Sequence, residues 1–385
     1  KNLYIDRNSS DDVGLFGYTD GATLTNVFLT DPVISGRGDV GALVGDVYSA
    51  TTIRYVLVSN PTISNSNIRA GGVAGRVDSN SLLDMVGVDG LTLDAGNRLV
   101  GGLVGFLRDS TIKRSFARGK IDTSSNDAGG LVGQLGTQSG TKVTLFDNYA
   151  AVAITIDSDA GDQYNHGGLI GGATGATIAE LTNNYAAGTV ANSQQSGGMF
   201  GNTASDTVVE NGSNNFWDKD KVSQGFGDDG TTPLKTDSTL KITGKTTTEM
   251  QTVSTFTDAG WDFAGDSGDG VDEVWLMDDG VDTDDPIDGS TDNDNYPFLA
   301  WEVIDTLQTD DLHLGGLGTR FSPFQLDSAE DLIAISQESG YWDKHFIQIA
   351  DIIFNPDETL VDWDGDGNAD GSNPAGFSPI GSDSG

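Results

Sequence analysis

The chain has 385 residues, with 58 Asp and Glu against 20 Lys and Arg, a formal net charge of −38 and no cysteine. That charge repels the phosphates of DNA, RNA and anionic membranes, and it suits high salt or abundant calcium, where counterions screen the acids. The missing thiols remove disulfides, thiolate metal sites and cysteine nucleophiles, and no stretch approaches the ~20 apolar residues of a membrane-spanning helix.

From the N-terminus, one five-letter motif recurs seven times: VGLFG, GALVG, GGVAG, GGLVG twice, GGLIG and GGMFG. Its last glycines, Gly17, Gly45, Gly75, Gly105, Gly133, Gly171 and Gly201, lie 28, 30, 30, 28, 38 and 30 residues apart. Between them run short β-branched stretches such as ATLTNVFLTDPVIS and TTIRYVLVSNPTIS, broken by Gly, Asn, Asp and Ser, which read as strands and turns. Three strands of about five residues with three corners consume ~30 residues, and a fixed period of that size marks a stacked-repeat architecture. Helical repeats would need long faces of 3.6-residue period, which residues 1–205 do not show. A propeller is the competing closure, but its blades take ~40–50 residues.

The expected fold is therefore all-β: a parallel β-helix of about seven rungs, with a small mixed C-terminal region containing one helix. Each motif is expected at an equivalent corner, its glycines forming columns where backbones crowd. Leu103, Leu131, Leu169 and Met199 then line an interior column. Adjacent strand residues point to opposite faces. Val104, Val132, Ile170 and Phe200 thus demand either a bend inside the motif or an outer apolar stripe covered by something else.

The composition changes near residue 205, beyond which all six tryptophans lie, and nineteen acids but no Lys or Arg fall between Thr246 and Thr319. The expected organisation is a solenoid over 1–205, a solenoid exit and acidic β-rich segment over 206–302, a linker over 303–320 and a helix-containing capping segment over 321–385. NNFWDKD at 214–220 reads as an irregular last rung. In DSAEDLIAISQE at 327–338, Ser328 and Asp331 have capping-box spacing ahead of Leu332, Ile333 and Ile335.

These residues resemble bacterial extracellular proteins built from GLUG-motif repeats. The resemblance rests on the seven glycine motifs, on NNFWDKD, TTTEMQTVSTFTDAGWDF and NYPFLAWE, which look like the close of such a module, and on GTRFSPFQLDSAEDLIAISQESGYWDKHFIQIADIIFNPDE and FSPIG, which look like its opening. It implies a secreted or surface-attached, adhesin-like protein. The opening here follows the close, which implies one unit of a tandem array, a trimmed piece, or a C-terminal segment of one copy capping the first rung of the next. Uncovered strand edges invite such pairing, and head-to-tail contacts that do not close generate a filament.

One constellation has a defined chemistry. In DWDGDGNADGSN, Asp362, Asp364, Asp366 and Asp370 hold loop positions 1, 3, 5 and 9, Gly367 holds position 6, and Asn368 offers its carbonyl from position 7. Alternating carboxylate oxygens on a glycine turn suit calcium, although position 12 is Asn373 rather than glutamate. The acidic run 278–295 lacks regular spacing and reads equally as a solvated loop. His166, His313 and His345 form no HxxxH pair, His166 being expected in a turn, and no GxSxG occurs. No enzyme activity is expected. The cations Arg54, Arg69, Arg76, Arg98, Arg108, Lys113, Arg114, Arg118 and Lys120 read as solvated surface or as a cleft for acidic sugars. Two functions follow: a calcium-stabilised extracellular solenoid that self-associates into a fibre or adhesin, or a carbohydrate-binding or polysaccharide-cleaving β-helix, which an aromatic and carboxylate cluster on one face would favour.

Overall fold

The computed structural model describes residues 2–65, 67–96, 99–124, 126–136, 142–156, 165–173, 175–191, 195–203, 207–227, 236–263, 274–277, 295–305, 324–326, 328, 331, 332, 335, 346–349 and 352. They fall into two units, Lys1–Trp261 and Asp262–Gly385.

The first unit is the parallel β-solenoid expected from the repeats. One turn runs through the strands Asp39–Gly41, Val44–Tyr48, Thr52–Ser59 and Thr62–Asn65, and the next begins at Arg69–Gly71. Strands entering the motif form one seven-stranded sheet, those leaving it form a second, and the longer strands form a third of fifteen. All pairing in the three sheets is parallel and advances by one repeat: Asp39 lies opposite Arg69, Arg69 opposite Leu99, and Leu99 opposite Asp127. The 38-residue interval keeps this register, with Asp127 opposite Asn165. The stack continues past residue 205, since Asn215–Asp218 pairs with Tyr185–Ala186 on one side and Ile242–Lys245 on the other.

The glycine motif bends. In the fourth copy one strand ends at Gly101 and the next starts at Val104, with Gly102 and Leu103 in the bend. Leu103 and Val104 therefore both face the core, each 0 % exposed, as do Leu131 with Val132, Leu169 with Ile170 and Met199 with Phe200. No outer stripe is needed for them. Glycine is required there by close approach: a Cβ on Gly130 would sit 2.0 Å from the carbonyl oxygen of Gly168 in the next turn, far inside contact distance.

The long sheet bends as well. Asn26, Tyr55, Met85, Arg114, Asp147, Asn183 and Asn214, one per turn, are left-handed with φ between 48° and 59°. The amides just after this bend are served from inside the stack. Asn148 Oδ1 accepts from Ser115 N at 3.0 Å, Asn184 Oδ1 from Asn148 N at 3.2 Å, and Asn215 Oδ1 from Asn184 N at 3.0 Å. Buried polar groups must find partners, and this asparagine ladder supplies them. NNFWD is thus a regular rung. Across the same sheet, Phe116 stacks on Tyr149 at 5.2 Å and Tyr149 on Tyr185 at 4.9 Å.

In the second unit, Trp275–Leu276 pairs antiparallel with Phe298–Leu299, and Phe324–Leu326 pairs parallel with Phe346–Gln348. Ser328 and Asp331 form the reciprocal cap read from their spacing, Ser328 N donating to Asp331 Oδ2 at 3.0 Å and Asp331 N to Ser328 Oγ at 3.2 Å. Among the described residues no helix is long and apolar enough to cross a membrane.

Candidate functional site

Folding the motif back on itself sets the residues that flank it side by side on the outer wall. The entry-sheet slot carries Asp12, Asp39, Arg69, Leu99 and Asp127 in successive turns. The exit-sheet slot carries Tyr18, Asp46, Arg76, Phe106 and Gln134. Two sheets of in-register strands therefore hold a double column of outward side chains, and its chemistry is concentrated in the first three turns.

Asp12, Asp39 and Asp46 converge there, one carboxylate oxygen of each lying within 4.8 Å of the others. Arg69 Nη1 donates to both oxygens of Asp39, at 3.0 and 2.9 Å. Arg76 reaches Asp46 Oδ2 only at 3.4 Å, because its tight bond goes to Asp78, which Arg108 also holds. Asp46 Oδ1 is buried and has no hydrogen-bond partner among the described residues.

Burial pushes the Asp39 carboxyl up to about 6, Asp46 and Asp12 adding to the rise while Arg69 opposes it. Asp46 is raised mainly by burial, against Arg76, and Asp12 by burial and the neighbouring Asp11. Asp78 moves the other way: burial would raise it, but hydrogen bonds from Arg108 and Arg76 outweigh that and hold it low. Aromatic rings complete the wall. Tyr18 and Tyr48 stack with centroids 6.4 Å apart, the Arg76 guanidinium lies 5.9 Å from the Tyr48 centroid, and that of Arg69 lies 5.1 Å from Phe106.

Among the described residues, seven of the cations noted in the sequence are paired rather than lining an open cleft. Arg69, Arg76 and Arg108 pair as above. Arg54, Lys113 and Arg114 all close on Asp84, which is 2 % exposed, and Arg118 binds Asp89. His166 is a buried strand residue, not a turn. The seven final glycines lie in the exit-sheet strands just past the bend. The calcium-loop residues Asp362, Asp364, Asp366, Asn368 and Asp370, like His313, His345, Arg98 and most of 278–295, lie outside the described residues. The Asp12–Asp39–Asp46 cluster escaped the sequence reading. Its signal was the identity of the residue on either side of each glycine motif, read as a column.

Comparison with known proteins finds partial likeness. The chain is 30 % identical over 194 residues to the immunoglobulin A1 protease of Streptococcus sanguinis, covering 49 % of this chain and 8 % of that one. It is 30 % identical over 160 residues to the immunoglobulin A1 protease of Streptococcus pneumoniae, covering 40 % and 7 %. It is 32 % identical over 141 residues to the halomucin of Haloquadratum walsbyi, covering 36 % and 1 %. The likeness thus spans less than a tenth of each of these relatives. No family model matches the chain, and no solved structure matches it.

Proposed function

We propose that this chain is an extracellular, surface-associated structural protein of the GLUG-repeat kind, whose solenoid self-associates head to tail into a fibre or builds part of an adhesin. No catalytic role is assigned to it. The observation that carries this reading is the uninterrupted parallel stack, in which each turn is a template for another. The likeness to small portions of very long relatives supports it, because that is how a repeat module shared among unrelated wholes behaves.

Among the described residues, the strands Phe16–Asp20 and Thr23–Thr30 pair on one edge. Phe28 is 54 % exposed, whereas Phe116, Tyr149 and Tyr185, further along the same register, are fully buried. Such an edge accepts another layer of the same kind, either a further turn or a second copy. Calcium at Asp362, Asp364, Asp366, Asn368 and Asp370 is proposed to stabilise the assembly.

Electron microscopy of the purified chain, with calcium and after chelation, tests the reading. Ordered filaments that fray on chelation are the expected result. Monodisperse particles under both conditions would remove self-association, and with it calcium as the stabiliser of an assembly. A second reading, glycan binding, is favoured by the exposed Tyr18 stacked on Tyr48 beside Asp46 and Arg76. Retention of an acidic or neutral polysaccharide, lost on Tyr18→Ala with Tyr48→Ala, would replace the fibre with that reading.

A further inference from the structure

We infer that Asp12, Asp39 and Asp46 form a calcium site on the outer wall of the first two solenoid turns. The site is independent of the 362–370 segment and of any self-association.

Geometry comes first. Calcium holds oxygens at about 2.3–2.6 Å, so ligands on opposite sides of one ion lie up to ~5 Å apart. Carboxylate oxygens from the three aspartates lie within 4.8 Å of one another, a spacing that one ion spans. All three ligands are hard oxygens, with no imidazole or thiolate, which suits calcium, magnesium or manganese rather than zinc, copper or nickel.

The second observation is the state of Asp46. Its residue is 8 % exposed, yet its Oδ1 has no donor among the described residues. A buried carboxylate oxygen without a donor or cation is costly and rare. Arg76 reaches only the other oxygen, Oδ2, at 3.4 Å, Arg69 binds both oxygens of Asp39, and the tighter bonds of Arg76 and Arg108 go to Asp78. Four carboxylates, those of Asp12, Asp39, Asp46 and Asp78, thus face three guanidiniums, and Asp12 makes no ion pair among the described residues. Asp12 is also the exposed member. A hydrated ion can enter beside it and keep the waters that complete six to eight ligands.

Register makes the site singular among the described turns. The same pair of slots holds Arg69 and Arg76 one turn later, then Leu99 and Phe106. Only where one turn offers two aspartates and the turn before offers a third do the oxygens converge.

The test is calcium titration of the full chain by calorimetry, counting sites per chain, in the natural sequence, in Asp46→Asn, in Asp364→Asn with Asp366→Asn, and in all three changes together. Asp46→Asn is expected to lose one site in either background, and calcium is expected to raise the Tm of the Asp364→Asn, Asp366→Asn chain but not that of the triple variant. Circular dichroism and Tm without calcium check folding, and Asp39→Asn serves as a second probe should Asp46→Asn fail to fold. Unchanged site numbers in folded Asp46→Asn or Asp39→Asn would overturn the inference and leave a shared proton as the means by which the three carboxylates coexist. Loss of sites only on changing Asp364 and Asp366 would overturn it too, while leaving the calcium loop intact.

Discussion

Asp127 occupies the entry-sheet slot three turns beyond Asp39. Burial pushes its carboxyl up to about 6 from an ordinary 3.8, and the hydrogen bond from Asn165 Nδ2 at 2.5 Å only partly offsets this. A carboxyl raised in this way works against folding once ionised. The penalty is absent well below pH 3.8, where both states are protonated, grows as pH rises between the two values, and is complete above about pH 6. Two pKa units correspond to roughly 3 kcal/mol, an upper figure once relaxation is allowed. Asp127→Asn is therefore expected to stabilise the solenoid by ~1–3 kcal/mol at pH 7.5 and by no more than about 0.5 kcal/mol at pH 4, read from urea midpoints at the two values. A stabilisation that does not change with pH would show that shape, not charge, governs the site. Single residues of this kind were poorly legible in the sequence. With 58 acids in the chain, nothing distinguishes Asp39, Asp46 or Asp127 until the bend of the glycine motif places them on one wall.

Whole turns were legible for the opposite reason. Wherever two backbones approach too closely for a Cβ, the chain writes glycine, and the last glycine of the motif recurs in all seven copies. The contrast between Gly130 and Gly96 tests this. A methyl at Gly130 meets the Gly168 carbonyl at 2.0 Å, whereas one at Gly96 meets nothing within 4 Å. Gly130→Ala is expected to cost upwards of ~3 kcal/mol or to prevent folding, through strain that rigid backbone cannot relieve. Gly96→Ala is expected to stay within about 0.5 kcal/mol of the natural chain, as thermal or urea unfolding of the two variants would show. The second periodic signal was harder to see. DNY at 147–149, NNY at 183–185 and NNF at 214–216 mark the asparagine ladder, but asparagine is so common in turns that its burial in mid-sheet is hidden. The bend at Gly102 and Leu103 is likewise one of two possibilities that the sequence allows, because alternation alone cannot say where a strand stops.

Charge divides the molecule unevenly. Residues 1–261 carry 18 Lys and Arg against 28 Asp and Glu, while 262–385 carry 2 against 30. The solenoid spends its cations on neighbouring turns: Arg69 on Asp39, Arg108 on Asp78 and Arg114 on Asp84 each bridge residues 30 apart in sequence. The stack is thus tied along its length by ion pairs as well as by the ladder bonds of its sheets, and both run from turn to turn. That direction has a mechanical meaning. If the two ends of the first unit are pulled apart, each interface between turns is loaded in opening rather than in shear, so its bonds fail in sequence instead of all together. A freed turn of about 30 residues pays out ~100 Å of chain at 3.3–3.6 Å per residue, while the stack loses only ~4.8 Å of height. Single-molecule stretching should therefore give a train of small, evenly spaced yields near 100 Å instead of one large rupture. A surface tether with that response would lengthen severalfold under a passing load and rewind when it eases.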